Sequence, residues 1–99
     1  MQTIAIKFDS SNPNWTGNNE QDRMFLCIME QYINDILKHR GYIYLNQIYE
    51  HLGIEWNPDD RNTCVRSKVK GKLPFVLISV LYEPDGTLSE LVHITLYFV

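Results

Sequence analysis

Asn57-Pro58-Asp59-Asp60-Arg61-Asn62-Thr63-Cys64-Val65-Arg66-Ser67-Lys68-Val69-Lys70-Gly71-Lys72 is the stretch on which the fold turns. Asn57 is a good helix cap, and Pro58 suits the first helical position. Asp59 and Asp60 complement the positive end of a helix dipole, while bases and Gly71 stand where a helix closes. This pattern predicts a helix over 58–70. Its apolar side is thin, mainly Cys64, Val65 and Val69, so the helix should be partly exposed. Helix-start electrostatics explain Asp59 and Asp60 better than metal or acid–base chemistry.

The same stretch holds an unusual charge. Arg61, Arg66, Lys68, Lys70 and Lys72 are five of the nine bases in the chain, and no acid lies among them. All twelve acids fall outside residues 61–72, so the formal net charge of −3 conceals a basic block there. Such a block is either a partner-facing surface or a solvated helix end that complements its own dipole.

Upstream of this stretch, Asn46 can cap a short helix over 46–52 with Ile48, Tyr49 and Leu52 inward. Gly53 closes it, and Ile54 can fold back on Tyr49. Tyr42-Ile43-Tyr44-Leu45 is a short extended link. Before it runs the most secure element, a long helix over 19–40. Asn18 or Asn19 can cap this helix, with Gln21 or Asp22 in capping-box position. Phe25, Ile28, Met29, Tyr32, Ile33, Ile36 and Leu37 recur at helical spacing as one apolar face. Lys38, His39 and Arg40 fill the last turn, and Gly41 supplies the left-handed cap. Residues 10–19 form a polar loop in which Trp15 either pins the loop to the core or offers a contact. Asn14-Trp15-Thr16 matches a glycosylation sequon by chance. Residues 1–9 alternate as a half-buried strand with Ile4, Ile6 and Phe8 on one side.

Downstream, residues 74–99 read as a β-hairpin around Glu83-Pro84-Asp85-Gly86-Thr87, with 83 paired to 87. Its even-numbered face is the expected core: Val76, Ile78, Tyr82, Leu88, Val92, Ile94, Leu96 and Phe98. The odd-numbered face holds Phe75, Leu77, Leu81, Leu91 and Tyr97 beside Ser79, His93 and Thr95, with Leu73 just before. A monomer seldom exposes an apolar patch of about 400 Å² without a use for it. A second copy or a partner should cover it, so a homodimer is expected, with Trp15 as a further contact residue.

Ninety-nine residues, 44% of them hydrophobic, make one domain. The layout shows neither a secretory leader nor the ~18 apolar residues of a membrane span, and a cytoplasmic location is expected. Cys27 and Cys64 are then reduced thiols. With His39, His51 and His93 they show no metal-ligand spacing. Cys64 has basic neighbours, but no oxyanion arrangement or orienting third residue accompanies it and His51 or His93. There is no phosphate-cradling glycine loop. No enzymatic activity, cofactor or metal is expected.

In the order long helix, short strand, short helix, turn, basic helix and hairpin, residues 19–99 resemble a winged helix-turn-helix domain. Gly41-Tyr42-Ile43, Ile48-Tyr49 and Leu52-Gly53-Ile54 fall at that motif's link, first helix and turn. The resemblance implies an α+β fold of order β-α-α-α-β-β, with three helices on one face of a three-stranded antiparallel sheet. It also implies that the 58–70 helix reads duplex DNA. Arg61, Asn62, Arg66, Ser67 and Lys70 would then face bases or phosphates, and Lys68 and Lys72 would neutralise phosphates. Arg40-Gly41-Tyr42-Ile43-Tyr44-Leu45-Asn46-Gln47-Ile48-Tyr49 through Leu52-Gly53, with a terminal apolar hairpin, is also similar to small proteins of unassigned function. Phages and mobile elements of Gram-positive bacteria carry them. That similarity implies an accessory protein: a nucleic-acid-binding regulator or, alternatively, an inhibitor that binds a host defence protein.

Overall fold

The computed structural model describes residues 2–67, 70–71 and 73–97. The chain runs β1 (Gln2–Lys7), α1 (Asn19–Arg40), β2 (Tyr42–Tyr44), α2 (Leu45–Leu52), a 3₁₀ turn (Pro58–Asp60), β3 (Cys64–Arg66), β4 (Phe75–Tyr82) and β5 (Leu88–Tyr97). Among the described residues there are two α-helices and five strands. The strands form an antiparallel sheet in the order β1-β5-β4 and a two-stranded antiparallel ribbon of β2 and β3. The expected arrangement of three helices on one three-stranded sheet is therefore not the fold, and among the described residues no winged helix is identified.

The correction lies in the 58–70 stretch. Asn57 does cap a helical start, its side chain accepting from the Asp59 N–H at 3.0 Å, but the turn ends at Asp60. Residues 64–66 extend and pair with β2 as Tyr42↔Arg66, Ile43↔Val65 and Tyr44↔Cys64. The sparse apolar side that made the helix look exposed is a strand pattern instead. Val65 is the one inward residue between two outward ones, and it is completely buried together with Ile43. Burying two such side chains contributes roughly 1.5–3 kcal/mol each, which a solvated helix could not recover. Lys68, Val69 and Lys72 lie outside the described residues, as does Phe98.

α1 follows its local signals closely. The Asn18 side chain accepts from the Gln21 N–H at 3.0 Å, and Gly41 closes the helix at φ 86°. Its inner stripe is Leu26, Ile33 and Leu37, flanked by Phe25, Met29 and Ile36. Ile28 and Tyr32, expected inside, are about half exposed at 51% and 49%. The α2 cap also differs. Helix α2 starts one residue early, and Asn46 is buried, its amide donating to the Asn57 carbonyl and accepting from the Asn57 N–H. At its far end the Ile54 N–H donates to the Tyr49 carbonyl at 2.8 Å, the expected fold-back past Gly53.

The polar loop is fastened by buried side chains. Asn12 donates to the Leu52 carbonyl at 2.8 Å, and the nearly buried Asp22 accepts from the N–H groups of Thr16 and Gly17 and from the Thr16 hydroxyl. In the hairpin, the Glu83 N–H donates to the Thr87 carbonyl as the turn requires. The register then shifts between Val80 and Tyr82, from Tyr82↔Leu88 to Val80↔Val92. Because the shift is two residues, the even-numbered face stays inward. Val76, Ile78, Val92, Ile94 and Leu96 join Ile6 and Phe8 in the core, whereas Tyr82 is 57% exposed beside the bulge.

Candidate nucleic-acid interface

Alternation along the ribbon sends Ile43 and Val65 into the core and Tyr42, Tyr44, Cys64 and Arg66 to the opposite face. Arg40, in the last turn of α1, reaches the same face. Its guanidinium lies 4.5 Å from the centroid of the Tyr42 ring, and the Tyr42 and Tyr44 rings meet edge to face at 6.0 Å. Both tyrosines remain exposed, at 40% and 43%.

Hydrogen bonds hold this arrangement in place. Arg40 Nε donates to the Tyr42 carbonyl at 3.1 Å and Nη2 to Gln47 Oε1 at 2.9 Å. The same Gln47 oxygen accepts the Tyr44 N–H at 3.1 Å, tying the ribbon to the start of α2. All of these acceptors are neutral. Among the described residues the one ion pair within 4.0 Å is Lys7–Asp9, so no carboxylate neutralises Arg40, Arg61 or Arg66.

Tyr44 is the shared wall of two hollows. One, of about 380 Å³, is framed by Arg40, Tyr42, Arg66 and Ser67; the other, of about 420 Å³, by Gln47, Trp56, Pro58 and Arg61. Trp56 is 63% exposed. The Asn46–Asn57 hydrogen-bond pair anchors the chain right beside it, which explains why a large apolar ring can stand in solvent without a flexible base.

Of the residues expected to contact nucleic acid, Arg61, Arg66 and Ser67 border these hollows. Asn62 is exposed in the turn before β3 and Lys70 in a turn beyond it, while Lys68 and Lys72 lie outside the described residues. Reading the basic segment alone missed Arg40, Tyr42, Tyr44 and Trp56. The available signal was the period of two from Arg40 through Tyr42 to Tyr44, obscured by reading 42–45 as a mere link.

The expected partner face is divided. Phe75, Leu77, Leu81 and Leu91 are 38–46% exposed and Leu73, just before β4, is 57% exposed. Tyr97 stacks on Phe75 with centroids 4.3 Å apart. Trp15 does not join them: it packs against Gly17 and lines a small cavity of about 200 Å³ with Phe8 and Asp22. Cys64 lies in the ribbon and His93 in the other sheet, while the His51 ring stands edge-on to Tyr32 at 5.0 Å. Among the described residues no group of His, Cys, Asp and Glu is placed to hold a metal ion, and no helix is long and apolar enough to cross a membrane. No protein-family model, curated protein or solved structure matches this chain.

Proposed function

We propose that this chain is a non-enzymatic binding module that holds single-stranded nucleic acid across the ribbon face. The observation that carries this reading is the arginine-backed pair of exposed tyrosines, Arg40 over Tyr42 with Tyr44 beside it and Arg66 opposite. Exposed aromatic faces stack unpaired bases regardless of sequence, and unneutralised arginines take the phosphates between them. Trp56 and Arg61 extend the same combination around Tyr44. A duplex is the poorer ligand, because the 58–70 helix that would enter a major groove is not formed. The acidic remainder of the surface repels the phosphate backbone and restricts binding to this side. An accessory role in a phage or mobile element, as the similarity of residues 40–53 implies, suits such a module.

The test is fluorescence anisotropy of a labelled oligothymidylate and of a duplex of equal length, at 50 and 200 mM salt. Three arginine–phosphate contacts predict a loss of affinity of roughly twentyfold across that range for the single strand. Replacing Tyr42 and Trp56 by alanine should cost about 1–3 kcal/mol for each stacked base. Absence of binding at 50 mM, or equal affinity for the duplex, refutes the reading. A second reading, a protein-interaction module whose open sheet face is covered by another copy, rests on Phe75, Leu77, Leu81 and Leu91.

A further inference from the structure

We propose a second binding site, independent of the ribbon: the free edge of β1 accepts an extended peptide segment of a partner protein that carries Lys or Arg. Among the described residues β1 is the end strand of its sheet, paired with β5 alone. The Phe8 N–H donates to the Glu90 carbonyl at 2.7 Å, just past the strand. Backbone direction alternates along an antiparallel strand, so Ile4 and Ile6 also face β5 and Thr3, Ala5 and Lys7 point away. Among the described residues, nothing bonds to those outward N–H and C=O groups. They form the main-chain template that strand addition uses.

A strand needs space as well as partners, and the structure leaves it. Between β1 and residues 54–60 lies an open groove of about 390 Å³, with Ile4 and Ile6 on one side and Ile54, Glu55 and Asp60 on the other. Tyr49 also lines it, its hydroxyl donating to Asp60 Oδ2 at 3.3 Å. Residues of an added strand opposite Ile4 and Ile6 would project to the same side as these isoleucines, toward that wall. The wall carries two carboxylates. The one ammonium at the groove, on Lys7, is 3.9 Å from Asp9 outside it. The charge left for an occupant is therefore negative, which selects a cationic side chain at an inward position among apolar or small ones.

The other sheet edge shows that exposure at β1 is not the rule for this molecule. On β4 the outward groups of Val76 are both taken by Asn34, which accepts from the N–H at 2.8 Å and donates to the carbonyl at 2.9 Å. The Ile78 N–H donates to Glu30 Oε2 at 3.3 Å. α1 thus occupies on β4 three of the groups that an added strand would need, and among the described residues no comparable side chain occupies those of β1.

The experiment selects a phage-displayed random decapeptide library on the immobilised full chain, then measures amide exchange with the enriched peptides. Enriched sequences should alternate in character and carry Lys or Arg. On binding, the Ala5 and Lys7 amides should exchange at least about tenfold more slowly. Replacing both carboxylates, Glu55→Gln with Asp60→Asn, should weaken binding roughly three- to tenfold. Ala5→Pro should abolish it, because that N–H makes no bond within the sheet and its loss spares the fold. Should Ala5→Pro fail to fold, the carboxylate pair carries the test. Lack of enrichment, or peptides that leave the Ala5 and Lys7 amides unprotected, overturns the proposal. So does a dimer of the free chain that Ala5→Pro dissolves, since the edge would then belong to a second copy. Oligothymidylate binding reads Tyr42 and Trp56 instead, so either site can fail alone.

Discussion

The two edges of the three-stranded sheet have the same chemistry and opposite treatment. Each presents a row of unpaired main-chain donors and acceptors, which is a template for association unless something covers it. At β4 the cover is α1, whose Glu30 and Asn34 stand one helical turn apart and reach the outward groups of Ile78 and Val76. At β1 the neighbouring segment, residues 54–60, stands back and leaves a groove. A helix laid along one edge of a small sheet cannot also seal the other, because the width of the sheet separates them. What differs is therefore which edge the helix chose, and the open edge is the one left for a partner.

The strongest way to break this comparison is Asn34→Leu. It strands both the N–H and the carbonyl of Val76, and should cost roughly 2–4 kcal/mol in denaturant unfolding. It also uncovers part of β4, so light scattering should show concentration-dependent association. Unchanged stability and mass would mean that Asn34 is not the seal. Glu30→Ala is the milder version, with a cost of about 1 kcal/mol for the single bond to Ile78.

The face between the edges offers a separate measurement. Leu77→Asp with Leu91→Asp puts charge into the apolar patch of β4 and β5 and should reduce the mass in solution from dimer to monomer if that face joins two copies. The dimer idea is lost if the mass is the same before and after substitution.

The groove wall sharpens the comparison through pH. Burial first, then the charge of Asp60 and the bond to it, push the Tyr49 phenol up from 10.0 to about 12. A raised folded-state pKa means that this stabilisation is whole below pH 10 and is lost as the pH climbs through 12. Asp60→Asn removes the charge, so phenolate absorbance should appear at lower pH in that variant. An unmoved titration would show that Asp60 does not act on Tyr49. The smallest effect is in the unmodified chain: Ala5 and Lys7 amides should exchange faster than those of Val76 and Ile78. Equal rates would mean that the two edges are equally covered.

Much of this architecture could be read one residue at a time. The bounds of α1 follow from Asn18 and Gly41, and the inward face of the hairpin follows from its alternation as far as the bulge at Val80/Tyr82, beyond which Tyr82 is exposed. The interface was half legible. Arg61 and Arg66 stand out by charge and Ser67 through the winged-helix resemblance, whereas Tyr42 and Tyr44 became a surface only because Ile43 between them is buried against Val65. Asn57-Pro58-Asp59-Asp60 carries the signals of a helix start but begins only a single turn, since a cap specifies where a turn begins and not how far it continues.

The sequence by itself determined the elements whose hydrogen bonds close locally: α1, α2, their glycine caps and the turn at Glu83–Thr87. Only the tertiary structure decided that residues 64–66 are a strand, that one sheet edge is sealed and the other open, and that Arg40 lies over Tyr42 beside Arg66. A helix satisfies each N–H four residues away, so its sequence carries its own partner. A strand or an edge is satisfied by groups far along the chain, as Val76 is by Asn34 across 42 residues, and no local pattern records that meeting.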